Sequence, residues 1–114
     1  MTGISTHVLD TARGLPAANV AVRLERQQPS GEWRLLGEGT TDADGRCGQL
    51  LSATEILSAG NYRLSFATDR YFAAQQTQAL YPLVQITFAA RAGETHFHVP
   101  LLLSPNGYTT YRGT

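Results

Sequence analysis

From Val20 to Arg26 the chain alternates in polarity. Val20, Val22 and Leu24 fall on one side of an extended backbone and Ala21, Arg23 and Glu25 on the other, the period-two pattern of a half-buried strand. Gln27 to Glu32, carrying Pro29, Ser30 and Gly31, predicts a turn, and Trp33 to Thr41 the returning strand. Thr41 to Gly45 predicts a tight connection whose Asp44-Gly45 pair suits positive φ, with Arg46 directly after it. Tyr62, Leu64 and Phe66 alternate after Gly60-Asn61, and Val84, Ile86 and Phe88 after Pro82. Thr95 to Leu103 predicts a long strand with Phe97, Val99, Leu101 and Leu103 on one side and His96, His98, Pro100 and Leu102 on the other. Ser104-Pro105-Asn106-Gly107 then turns the chain into a short final strand, Tyr108 to Tyr111. Near the N-terminus, Ile4 to Asp10 predicts a strand in which His7 and Val8 face opposite ways. Helical signal is confined to Asp69 to Gln78, where Asp69 is placed to cap and Tyr71 to Gln76 lacks Gly, Pro and β-branched residues. The pattern amounts to about seven or eight strands with one small helix, an all-β sandwich.

Composition adds to this picture. The 114 residues supply material for a single domain, 1–114, with one core. Charged residues make up 16% of the chain, against roughly 25% in typical soluble domains, so part of the surface is expected to be covered by a partner. The histidine strand points the same way, because Pro100 and Leu102 share a side with His98 and leave neither side plainly solvated; such apolar patches mark association surfaces, usually in closed symmetric oligomers. Nine basic residues balance nine acidic ones without runs, which argues against nucleic acid and anionic membrane as partners. The single cysteine, Cys47, excludes an intrachain disulfide and a multi-cysteine metal site, and reads as a small semi-buried residue in a reducing compartment. Met1 to Leu9 holds no basic segment followed by an apolar stretch, and no window approaches the ~20 apolar residues of a membrane span, so a cytoplasmic protein is expected.

Candidate chemistry rests on three histidines and one arginine. His96 and His98 share a strand face about 7 Å apart. A zinc site would need at least one further ligand, with His7 the remaining histidine and Cys47 or a carboxylate brought in by folding. The reading adopted is no metal: imidazoles titrating near neutrality and able to give or take a proton. Arg46, beside its turn, is either a solvated charge or a clamp whose paired donors suit a planar substrate with urea-like groups. No Gly-x-Ser-x-Gly elbow and no phosphate-cradling glycine loop is present.

The run Ile4-Ser5-Thr6-His7-Val8-Leu9-Asp10-Thr11, followed by Gly14-Leu15-Pro16-Ala17 and Val20-Ala21-Val22, resembles the opening signature of the 5-hydroxyisourate hydrolases, also called transthyretin-related proteins. His96-Phe97-His98-Val99-Pro100-Leu101-Leu102-Leu103-Ser104-Pro105 and the terminal Tyr111-Arg112-Gly113-Thr114 are similar to that family's second signature, and Asp44-Gly45-Arg46 lies between. The resemblance implies a transthyretin-like sandwich of two four-stranded sheets, assembled as a homotetramer, a dimer of dimers, around a channel. It implies hydrolysis of 5-hydroxyisourate to 2-oxo-4-hydroxy-4-carboxy-5-ureidoimidazoline in urate breakdown, with no cofactor. Its catalytic positions fall on His7, Arg46 and His98, and Tyr111, Arg112, Gly113 and Thr114 complete the substrate pocket from a neighbouring subunit. The family more often ends in serine; the Thr114 hydroxyl is expected to serve equally in orienting His98, with His96 in support. The rival reading is a transthyretin-like small-ligand carrier using the same channel without chemistry, against which two imidazoles, a guanidinium and the bulky Tyr111 count. A purely structural interaction domain is the third.

Overall fold

The computed structural model describes residues 3–52 and 54–114. Among them the chain runs through β1 (Gly3–Asp10), β2 (Leu15–Pro16), β3 (Ala21–Gln27), β4 (Trp33–Thr40), β5 (Arg46–Cys47), β6 (Gly60–Phe66), α1 (Thr68–Ala73), β7 (Val84–Ala90), β8 (His96–Ser104) and β9 (Gly107–Thr110). The strands form two sheets. One is antiparallel throughout, in the order β4-β3-β6-β7, and places Val22 opposite Phe66 and Leu64 opposite Ile86. In the other, β1 runs parallel to β8, β9 folds back on β8, and the two-residue strands β2 and β5 both pair with the free edge of β1. With both of these short pieces counted, the second sheet has five strands.

Alternation decides which side chains meet between the sheets. Val22, Leu24, Tyr62, Leu64, Phe66, Val84 and Ile86 from one sheet pack in a single cluster with Ile4, Val8, Phe97, Val99, Leu101 and Leu103 from the other. Each such side chain contributes about 1.5–3 kcal/mol by leaving water. One carboxylate shares this interior. Asp10 is 1% exposed, and its oxygens accept from the backbone N–H groups of Ala12 and Arg13 at 3.1 Å each and from the Tyr71 hydroxyl at 2.7 Å. Burial, and then the bond to Asp10, push the Tyr71 hydroxyl above its ordinary pKa. That contact ties the helix to the end of β1.

The helix departs from its sequence expectation. It spans only Thr68–Ala73, its N-cap residue is Ala67, and no side chain caps it. Asp69 lies within the first turn, favourably placed for the helix dipole, and donates its N–H to the Pro82 carbonyl at 3.1 Å. Gln76 takes φ 56°, and the Thr77 N–H closes back on the Phe72 carbonyl at 3.0 Å, so the helical path ends there. Burial of Tyr71 and Phe72, rather than capping, holds this short piece. Among the described residues no helix is long and apolar enough to cross a membrane.

Candidate active site

The sheet containing β1 turns its second face away from the core. On β1, Ile4, Thr6, Val8 and Asp10 are buried, while Ser5, His7 and Leu9 point outward and are half-buried. On β8 the inward set is Phe97, Val99, Leu101 and Leu103, which leaves His96, His98, Pro100 and Leu102 on the outward side. On β5, Cys47 is buried and Arg46 exposed. The register then fixes neighbours: His7 lies opposite Arg46 on one flank and Pro100 on the other, and Ser5 lies opposite His98. His98 is therefore the diagonal neighbour of His7 across the β1–β8 pair. Three residues separated by 39 and 52 positions in the chain are brought to one outward face.

The turn before β5 sets Arg46 and His7 together. Asp42 Oδ1 accepts from the N–H groups of Asp44 and Arg46, both at 2.9 Å, and the Val8 N–H donates to the Gly45 carbonyl at 2.7 Å. Gly45 has φ 77°, and a Cβ there would run into the Val8 carbonyl oxygen, so the turn demands glycine. The result places the Asp44 carbonyl 2.8 Å from Nε2 of His7. A carbonyl can only accept, so Nε2 carries the proton and Nδ1 is the open nitrogen of the neutral ring. Among the described residues the Arg46 guanidinium has neither an ion pair nor a hydrogen bond, and its donors remain for a ligand.

His98 is held differently. Its Nδ1 lies 2.9 Å from Ser5 Oγ, and Gly113 packs against its other edge, where a Cβ would stand 2.5 Å from Cδ2. The Gly113 N–H donates to the His98 carbonyl at 2.8 Å, continuing the β8–β9 pairing. Burial, followed by the positive fields of His7, His96 and Arg46, lowers the His98 pKa from its ordinary value, so the ring is neutral at pH 7. His96 shares the outward face, and its Nδ1 is buried without a partner among the described residues.

Within this chain the terminal tetrapeptide runs back alongside β8. Gly113 meets His98 of its own chain, and the hydroxyl that this chain places beside that ring is that of Ser5. Arg112 is turned to the Phe97 side of β8, away from the His98 face. Its Nη1 donates to Glu94 Oε2 at 2.8 Å and its Nη2 to the His96 carbonyl at 3.2 Å, and its guanidinium carbon sits 4.5 Å from the Phe97 ring centroid. The Arg112 hydrogen bond holds the Glu94 carboxyl below its usual range. Arg112 thus anchors the tail within this chain. Tyr111 and Thr114 stand exposed. Sequence reasoning passed over Ser5, Asp44 and Glu94. Outward orientation of Ser5 was readable from its two-residue spacing to His7, but its neighbour on β8 was not.

Within one chain this face is open. A concavity at the end of the sheet has Ser5, Gln49, Ile56 and His96 in its wall, but not His7, Arg46 or His98. Among the described residues, no three His, Cys, Asp or Glu side chains gather as a metal site.

Residues 4–113 match the model of the HIUase/Transthyretin family. A mouse relative named 5-hydroxyisourate hydrolase is 46% identical over 112 residues, covering 97% of this chain and 94% of the relative. The solved structure of Klebsiella pneumoniae 5-hydroxyisourate hydrolase superposes with a TM-score of 0.83 at 38% identity, over 97% of this chain and 98% of that one. Transthyretin from Sparus aurata superposes with a TM-score of 0.91 at 31% identity, over 99% and 97%. With a matching sandwich, nearly full coverage and this identity, the chain belongs to the HIUase/transthyretin family.

Proposed function

We propose that this chain is a hydrolase that opens 5-hydroxyisourate in urate breakdown, and that His98, His7 and Arg46 carry the reaction. The observation that carries this reading is the β5-β1-β8 register, which sets two differently held imidazoles and an unpaired guanidinium on one face. His98, kept neutral and free at Nε2, takes a proton from water as the water oxygen bonds to the carbonyl carbon of the six-membered ring's amide. Negative charge then grows on the carbonyl oxygen, where the Arg46 donors hold it more tightly than in the ground state. His7, protonated at Nδ1 and steadied by the Asp44 carbonyl, gives its proton to the ring nitrogen as the C–N bond breaks. Water is consumed, no covalent enzyme intermediate forms, and solvent exchange resets both rings. Each proton transfer contributes roughly 10²- to 10⁴-fold.

The face is completed by assembly. The half-buried apolar Leu9 and Leu102 near the histidines favour coverage by another copy, and a dimer of dimers enclosing a channel supplies the missing wall. This reading takes the enzyme to be cytoplasmic and to need no cofactor. A carrier reading draws on the likeness to Sparus aurata transthyretin, but an apolar ligand gains nothing from an unpaired guanidinium beside two imidazoles. The test is to follow the near-ultraviolet absorbance of freshly generated 5-hydroxyisourate with the intact protein and with His98→Ala. The intact protein accelerates the decay and the variant largely loses that effect; a decay unchanged by the intact protein leaves the carrier.

A further inference from the structure

The two rings differ in what faces their inner nitrogen. His7 meets a carbonyl, a pure acceptor, which allows only one neutral tautomer. His98 meets a hydroxyl, which can donate or accept. Ser5 reaches it because β1 and β8 are parallel and in a register that sets residue 5 directly opposite residue 98. Gly113 closes the opposite edge of the ring, so with Nδ1 and Cδ2 both in contact, the part left to face a substrate is Nε2 with its neighbouring carbon.

We propose, building on the hydrolase reading above, that Ser5 is a positioning residue for the reaction: its hydroxyl holds Nδ1 of His98 and rotates between accepting and donating. When Nε2 of His98 is to take a proton, the lone pair must be on Nε2, and the proton on Nδ1 is donated to Ser5 Oγ. The imidazolium that results keeps this bond. As Nε2 releases its proton to solvent, the ring returns to the Nδ1–H form; if Nδ1 releases instead, the Ser5 O–H donates to Nδ1 and the ring waits as Nε2–H. A carboxylate in place of Ser5 would accept only, favouring the charged ring; an alanine would leave Nδ1 unheld and the ring free to turn about its side-chain bonds. The role differs from that of His7, Arg46 and His98, because Ser5 touches the ring and not the substrate.

The measurement pairs Ser5→Ala with Ser5→Thr in the full-length protein. In Ser5→Ala, kcat falls about tenfold or more, the equivalent of losing one held hydrogen bond, while KM changes less than kcat. Long-range ¹⁵N–¹H spectra of the ring nitrogens show the His98 Nδ1 signal displaced and the His7 signals unmoved. Ser5→Thr, which keeps the hydroxyl, restores both kcat and the Nδ1 signal. Wild-type kcat in Ser5→Ala overturns the proposal, as does failure of threonine to restore activity in a folded protein. Absence of any activity in the wild-type chain removes the hydrolase reading and this role with it, whereas an active wild type with an equally active Ser5→Ala removes this role alone.

Discussion

Replacing Gly113 by alanine tests whether the fit around His98 governs turnover. The glycine is not required by its backbone, since its φ lies outside the left-handed region, so alanine brings no conformational strain of its own. The demand comes from the ring: the new methyl would stand 2.5 Å from Cδ2, 3.3 Å from Cγ and 3.4 Å from the carbonyl oxygen of His98. Carbon atoms rest at about 3.5–4.0 Å, so the ring or the tail has to yield by about 1 Å. If the ring moves that far, it is driven toward Ser5 on its opposite edge, where the existing 2.9 Å contact leaves no room, so the ring must turn out of line with that hydrogen bond. If the tail moves, it pulls against the Arg112–Glu94 pair and the Gly113–His98 backbone bond, both at 2.8 Å. Misplacement of a reacting group by 1 Å costs on the order of 100-fold. The expected result is a kcat/KM for 5-hydroxyisourate reduced about 100-fold, read by absorbance decay, with a thermal midpoint within a few degrees of wild type. A Gly113→Ala protein within twofold of wild type, on the order of the assay's scatter, would refute the claim that this contact positions His98.

Further outcomes follow from the same geometry. Arg46→Lys keeps the charge but loses the paired donors, and kcat is expected to fall by roughly 10- to 100-fold; equal kcat in the two proteins excludes a clamp. Because the His98 pKa is lowered in the folded chain, the acid limb of kcat/KM lies below the ordinary histidine value of about 6.5. The sign for stability is set by the unfolded chain, which binds the proton first: the neutral ring costs nothing above about pH 6.5, and stability is lost as pH falls from there to the folded pKa. Melting curves between neutral and acidic pH should therefore show a smaller loss in His98→Gln than in wild type. Tyr71→Phe removes the donor at 2.7 Å from buried Asp10 and is expected to cost about 1–3 kcal/mol in urea unfolding, with kcat little changed.

Local pattern carried most of the fold. Alternation in Val20, Val22 and Leu24 and in Tyr62, Leu64 and Phe66 identified the inward sets, because a half-buried strand admits no other period. The Asp44-Gly45 turn was equally legible, since its positive φ needs the glycine. The helix was drawn too long, because lack of breakers says nothing about tertiary contacts, and Gln76 in the left-handed region ends it. Alternation gave the facing of His7 and His98 but not their proximity; that came through family resemblance, since a parallel pairing of strands so distant in sequence leaves no local trace. Ser5 was missed for the same reason. The contacts of Arg112 within its own chain were not legible either, because the tail was read as a motif and not as an alternating strand, in which residue 112 faces the Phe97 side.

Parallel pairing of β1 with β8 has a consequence for how the molecule comes into being. Hydrogen-bonded partners there sit 93 positions apart, so their ends must find one another across most of the polypeptide before either is rewarded with contacts. While the ribosome is still making the stretch before His96, β1 has no permanent neighbour on that flank, and its backbone groups are open to strands of other nascent molecules. Maturation of the histidine face is thereby tied to the emergence of β8.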